Sequence, residues 1–452
     1  MEAKGDFAGR MERLPWTPLH TKLLILLSIG EFFDLYDLFV GSFVIPSVST
    51  FYDISRPEAV FYTVAVLFLG AFVGSVLFTL IGDMYGRRTA IVLNMFLLSI
   101  GELLIPLASN VQLYGLLRFV SGVGVGPETI LVLDTMVTEF FPAKIRGRRL
   151  ATGYTIAWVA PIVVAALAYY LIPKTYIIPG WQWLFVIGGL GILTIIPLRF
   201  MIPESPRWLE VKGRFEEAEK VVRAFEEAAL KKYGSQPPAP QVRVVRSEGI
   251  PISTLFSREY RKRTVMLWVF EFFQTAVYYG FTSLAPTVLI TKGFTIVSTL
   301  FYSLLIYTGY FTGSVISIFL IDSKKFDRKW QIVTMIVLIG VDGLVFGYSN
   351  SVPVLLASGF VLANMANIFS NAFHQYGAEL YPTRIRAFAT GVQYSMSRLG
   401  NFVWLTYLPE VLATYGPFTM FTAVFIIALV VAADVGVLGP RASQVEVEEL
   451  SP

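Results

Sequence analysis

Apolar residues in this chain come in long, nearly unbroken runs, and twelve of the runs reach the roughly 20 residues that a helix needs to cross a bilayer. They lie at roughly 20–48, 59–81, 89–108, 112–138, 150–171 and 182–202, then at roughly 263–290, 297–321, 330–349, 353–378, 388–413 and 417–438. Gly and Pro inside several of them are ordinary for membrane helices. One connection is long and polar, 203–262, and it splits the runs into six plus six. The pattern predicts an all-α membrane protein of twelve transmembrane helices. Residues 1–202 form one six-helix half, 203–262 a linker, 263–438 a second half and 439–452 a tail. Within the linker, Phe215, Ala218, Val222 and Phe225 recur at helical spacing, so Arg214–Tyr233 reads as a surface helix that ends before Pro237, Pro238 and Pro240.

Composition fits this picture. The 452 residues are 55% hydrophobic and only 15% charged, against about 25% charged in soluble domains. There is no cysteine, and only His20 and His374 offer imidazole. Disulfides, thiolate chemistry and a Cys- or His-rich metal site are therefore excluded. No nucleophile–base pair stands out, so neither an enzyme nor a resident cofactor is expected. The first run carries Glu31, Asp34 and Asp37 and is too long for a cleaved signal, so it reads as a retained span.

Charge placement orients the chain. Short loops on one side carry Arg87, Arg88, Lys144, Arg146, Arg148, Arg149, Lys324, Lys325, Arg328, Lys329, Arg384 and Arg386; short loops on the other carry only Arg56, Lys174 and Lys292. The basic side is expected in the cytoplasm, together with both termini and the linker. The expected partners are the lipid bilayer and a small-molecule solute, with no nucleic acid. A monomer is expected.

The two halves repeat. Glu31-Phe32-Phe33 recurs as Glu271-Phe272-Phe273, and Pro46 as Pro286. Gly70, Gly74-Ser75-Val76 and Asp83 recur as Gly309, Gly313-Ser314-Val315 and Asp322. Glu139, Pro142, Ile145 and Arg146 recur as Glu379, Pro382, Ile385 and Arg386. The register holds over four separate blocks, which predicts two pseudo-symmetric six-helix bundles of the kind that rock against each other in transporters.

The loop after the second span reads Gly82-Asp83-Met84-Tyr85-Gly86-Arg87-Arg88. Its glycines allow a tight turn, and Asp83 is placed to cap a neighbouring helix. This loop resembles the signature of the major facilitator superfamily, where it latches helices on the cytoplasmic side. The second copy, Asp322 to Lys329, lacks both glycines. Glu139 with Arg146, and Glu379 with Arg386, are expected to complete this gate through breakable pairs. Pro203-Glu204-Ser205-Pro206-Arg207-Trp208-Leu209 resembles the sugar-porter branch and its metabolite–proton, phosphate–proton and organic-ion relatives, so the resemblance runs from about residue 20 to 438.

Charges inside a bilayer are expensive and usually have a job. Asp34 and Asp37 sit on the first span, and Arg118 opens a Gly122, Gly124, Gly126 motif on the fourth. That motif resembles proton-coupled family members. Asp37 matches the first-span aspartate of sugar and phosphate symporters, Asp34 a second acid of aromatic-acid and phosphate symporters, and Glu128 the acidic position of phosphate symporters. An Asp–Arg pair that breaks lets the carboxylate take a proton, which couples proton uptake to rearrangement; a static structural pair is the alternative.

For the solute, Gln274 and Pro286 keep part of a sugar-porter pattern, but Val277, Tyr279 and His374 replace the expected Gly, Asn and Trp. Instead, Tyr376 to Arg384 and Ser397-Arg398-Leu399-Gly400 resemble organic-ion and aromatic-acid transporters. A guanidinium at Arg398 suits a carboxylate or phosphate. Asn364, Asn367, Asn371 and His374 form one polar stripe, which either lines a cavity or bonds helix to helix. Trp158, Tyr278 and Tyr279 are candidate aromatic walls. The expected function is alternating-access symport of a small organic anion with a proton as the coupling ion. A sugar symporter or facilitator, a phosphate symporter and a transporter-like sensor are the alternatives.

Overall fold

The computed structural model describes residues 6–126, 133, 135–234, 255–258, 260–320, 326–381 and 386–441. Among them the chain is almost entirely helical, with one isolated β-bridge between Thr175 and Pro179. Among the described residues, eight helices are long and apolar enough to cross a membrane by length and composition. One of these, Arg386–Leu438, is two spans broken at Gly416, whose φ of 82° no helix accommodates.

Span 1, Pro18–Tyr52, begins at a capping box in which the Thr17 side chain and the His20 ring each take the other's backbone N–H. Span 2 runs through Arg56–Val60, a π-helical turn Phe61–Ala65 and Val66–Tyr85. Spans 3 and 4 follow as Arg87–Leu107 and Val111–Val125, the latter resuming at Met136–Phe140. Span 5 breaks at Trp158 between Ala143–Ala157 and Ala160–Leu171, and span 6 is Gly180–Met201. In the second half, span 7 is Arg261–Thr282 continued by Ala285–Thr291; spans 8, 9 and 10 are Ile296–Leu320, Arg328–Tyr348 and Val352–Glu379. Each expected span is present, with ends shifted by a few residues.

The repeat has a structural meaning. In lipid there is little hydrophobic drive between helices, so small residues that let backbones touch do much of the packing. A Cβ at Gly70 or Gly74 of span 2 would collide with the Phe119 or Val123 carbonyl of span 4. Their counterparts Gly309 and Gly313 of span 8 meet the carbonyls of Phe360 and Asn364 on span 10 in the same way.

The linker helix spans Phe215–Tyr233 and buries Ala218, Val222, Phe225 and Ala229. A short helix at Phe7–Glu12, which the sequence pattern does not announce, holds it in place. Arg10 bonds Glu219 at 2.5 Å and Glu226 at 2.7 Å, and Arg13 bonds Glu226 at 2.7 Å. The ring of His20 packs edge-on against Phe225.

Candidate functional site

Three groups of predicted residues resolve into three places. At the basic end, Arg87 pairs with Asp83 and reaches Glu139 at 3.4 Å. Asp83 does not cap a helix, contrary to expectation. Glu204 does, accepting from the backbone N–H of Arg87 at 2.9 Å and of Arg88 at 3.2 Å. The turn needs Gly86, whose φ is 107° and whose missing Cβ makes room for the Glu204 carboxylate. Gly82 accepts the Gly86 N–H at 3.2 Å. Arg146 donates to Glu12 at 3.0 Å and to the Phe141 carbonyl. Glu128 lies outside the described residues, as do the side chains of Glu379 and Arg386.

The second place is a fully buried charge cluster. Arg118 of span 4 forms an ion pair with Asp37 of span 1, both with no exposed side-chain surface. Arg118 Nε also donates to the Thr63 carbonyl at 2.9 Å, and its guanidinium faces the Phe185 ring. Thr63 lies in the π turn, whose widened bonding frees a carbonyl for such a donor. Asp34 is buried one turn away. Sequence reasoning missed Glu102 of span 3, which is also fully buried here; an acid alone in an apolar span was the available signal.

The third place is a cavity between the halves. Trp158, Tyr278, Tyr279, Gln274, Asn371 and His374 all line it. Glu31, Phe39 and Tyr394 join them. Asn364 and Asn367 face span 8 instead: Asn364 donates to Thr312 at 2.8 Å and Asn367 to the Tyr310 carbonyl at 2.9 Å. The polar stripe is thus helix glue at one end and cavity wall at the other. Gln274 donates to Glu271 at 3.1 Å, and Gln393 donates to the same carboxylate at 2.8 Å. Arg398 stands behind the wall, 1% exposed; it donates to the Tyr394 hydroxyl at 3.1 Å and lies over that ring.

Toward the Tyr52 end of span 1 the cavity is roofed by aromatics. Trp158 stacks on Tyr310 with centroids 5.4 Å apart, and Phe39 packs on Tyr307 and Tyr310. Tyr307 and Tyr310 are themselves tied to Thr282, which also accepts from Ser42 across the two halves.

Known proteins resemble the chain along nearly its whole length. It is 25% identical to the niacin transporter NiaP of Acinetobacter baylyi, covering 96% of this chain and 97% of that one. It is 26% identical to the 4-hydroxybenzoate transporter PcaK of Pseudomonas aeruginosa, covering 88% and 86%. The xylose transporter XylE from E. coli shares the fold with a TM-score of 0.75 over 93% of this chain and 98% of that one, at 18% identity. The profile of the sugar (and other) transporter family matches residues 23–452, and the chain accordingly belongs to that family of membrane transporters, built on the major facilitator fold.

Proposed function

We propose that the chain carries a small ring-bearing carboxylate across the bilayer together with a proton, by alternating access, with the basic loops in the cytoplasm. The observation that carries this reading is the cavity wall. Flat walls at Trp158, Tyr278 and Tyr279 suit a ring. At one place the wall is Tyr394, and the permanent charge of Arg398 polarises its hydroxyl from behind. A carboxylate accepting from Tyr394 would feel that charge in a low-dielectric site. Glu31 supplies a second polar group on the wall. Niacin and 4-hydroxybenzoate, named for the two relatives, are molecules of this class.

A proton is the coupling ion in this reading because Asp37, on the helix that lines the cavity, forms a fully buried pair with Arg118 of span 4 that proton uptake would break. Span 1 shows Glu31, Leu35, Leu38 and Phe39 to the cavity and Asp37 to span 4, so a shift of this helix moves both sites at once.

A sugar is the second reading, favoured by Gln274 in the wall. That amide donates to Glu271, however, which reduces what it can offer a sugar hydroxyl. Thermal-shift measurements on the purified protein with nicotinate, 4-hydroxybenzoate, xylose and glucose separate the two. Stabilisation by the carboxylates alone supports the proposal, and stabilisation by the sugars alone refutes it.

A further inference from the structure

We propose that Glu102 and Asp37 share the transported proton, so that the coupling site is a carboxyl pair bridging spans 1 and 3 beside Arg118. This rests on the proton-coupled reading above and adds a residue that no sequence motif marks.

Glu102 has no exposed surface. Among the described residues, no N–H or hydroxyl donor reaches either of its carboxyl oxygens. The carboxyl of Asp37 lies beside it, with Arg118 and Asp34 close enough to act on the same group and Tyr36 nearby on span 1. The placement is built in by the neighbouring helix. Gly188 of span 6 lies against the Glu102 carboxyl, and a Cβ there would overlap it.

Two ionised carboxylates are acceptors only and repel when buried side by side, so one proton between them relieves the repulsion. Arg118 carries one positive charge and already pairs with Asp37. With Glu102 ionised, this fully buried trio is left with a net negative charge; one proton makes it neutral. The proton enters from water on one side, forms an O–H bond on one carboxyl and a hydrogen bond to the other. When it sits on Asp37 it weakens the bond to Arg118. On release to the opposite side the O–H bond breaks and the Asp37–Arg118 pair closes again.

Infrared difference spectra of the full-length protein in lipid, stepped between neutral and acid pH, read protonated carboxyls by their C=O stretch and need no solute. The wild type is expected to show a pH-dependent band that both Asp37→Asn and Glu102→Gln abolish. Glu102→Asp, which keeps a carboxyl but withdraws it by one methylene, is expected to shift the band rather than abolish it, and it serves as the reading should Glu102→Gln not fold. A band lost in Asp37→Asn but untouched by either Glu102 variant overturns the sharing and leaves coupling through Asp37 alone. A wild-type spectrum without any such band overturns the sharing and the proton-coupled reading together.

Discussion

The Glu204 carboxylate accepts the backbone N–H of Arg87 at 2.9 Å, across 117 residues of chain, and so fastens the start of the linker to the start of span 3. It also accepts from Arg88 and from its own neighbour Ser205. An anion at a helix N-terminus meets both unsatisfied donors and the positive end of the dipole. Loss of a capping side chain typically costs about 1 kcal/mol. Glu204→Ala is therefore expected to lower the melting temperature while Glu204→Gln, which keeps an acceptor, lowers it less. Gly86→Ala is expected to be worse than either, since it strains a positive φ and displaces Glu204. Melting curves that rank Gly86→Ala as the mildest would contradict this account of the loop.

The N-terminal clamp gives a pH dependence. Hydrogen bonding from Arg10 holds the Glu219 carboxyl below the usual carboxylate range. Burial pushes Glu226 up, but bonds from Arg10 and Arg13 outweigh it and leave this carboxyl low as well. A carboxyl lowered in the folded state adds stability that is present above the ordinary carboxylate pKa and is lost as pH falls through the lowered value. Labels on the Phe7–Glu12 helix and on the linker helix are expected to stay close at neutral pH and to separate in acid, before the spans melt. Glu226→Gln is expected to separate them already at neutral pH. A distance that does not change with pH would refute the clamp.

How much of this was legible beforehand follows from the range of each interaction. Span positions rest on runs of about 20 apolar residues and were readable. The linker helix was readable from Ala218, Val222 and Phe225, a local period. The Phe7–Glu12 helix was not, because it is one and a half turns long and is held by Glu219 and Glu226, more than 200 residues away. The π turn at Phe61–Ala65 has no local signature; it is visible only once Arg118 is seen to use Thr63. The asparagine stripe was readable as a stripe. Which members face the cavity depends on how span 10 is rotated against span 8, and only packing fixes that.

The aromatic roof yields a third prediction. Trp158 on span 5 and Tyr310 on span 8 stack at an interplanar angle of 11°, and Tyr310 is fully buried and bonded to Thr282. These contacts hold the two halves together on one side of the cavity. Tyr310→Phe keeps the stack and loses one hydrogen bond, worth about 1 kcal/mol. Trp158→Ala removes the stack and its burial, worth several kcal/mol. Distances between labels on spans 1 and 8 at the Tyr52 end are expected to broaden slightly in the first variant and strongly in the second. Unchanged distributions in Trp158→Ala would show that the seal lies elsewhere.

The Asp37–Arg118 pair yields a fourth. Asp37→Asn leaves Arg118 buried without its counter-charge, while the amide still accepts a hydrogen bond. In liposomes, accumulation driven by an imposed proton gradient is expected to vanish, using whichever of nicotinate or 4-hydroxybenzoate stabilises the protein. Exchange of labelled for unlabelled solute is expected to persist, because it needs no net proton movement. Gradient-driven accumulation at the wild-type level in Asp37→Asn would remove this residue from the coupling path.

Arg398 and Tyr394 carry the last prediction. The guanidinium is buried, over the Tyr394 ring with its carbon 4.6 Å from the centroid, and donates to that hydroxyl. Tyr394 lines the cavity and Arg398 does not. Charge is thus delivered through a hydroxyl one layer in front of it. Tyr394→Phe keeps the ring and the stack but loses the donor, so it is expected to weaken carboxylate binding without unfolding the protein. Arg398→Lys keeps the charge but loses the planar fork that fits both ring and hydroxyl, and is expected to weaken binding similarly. Arg398→Ala removes the charge as well. Truncating one side of a buried charged contact typically costs about 2–5 kcal/mol, a fall of roughly thirtyfold or more in affinity. If Arg398 and Tyr394 act as one unit, the double variant Tyr394→Phe/Arg398→Lys is expected to lose little more than either alone. Normal binding in Arg398→Ala together with a lowered melting temperature would make Arg398 structural, and the carboxylate reading would lose its source of positive charge.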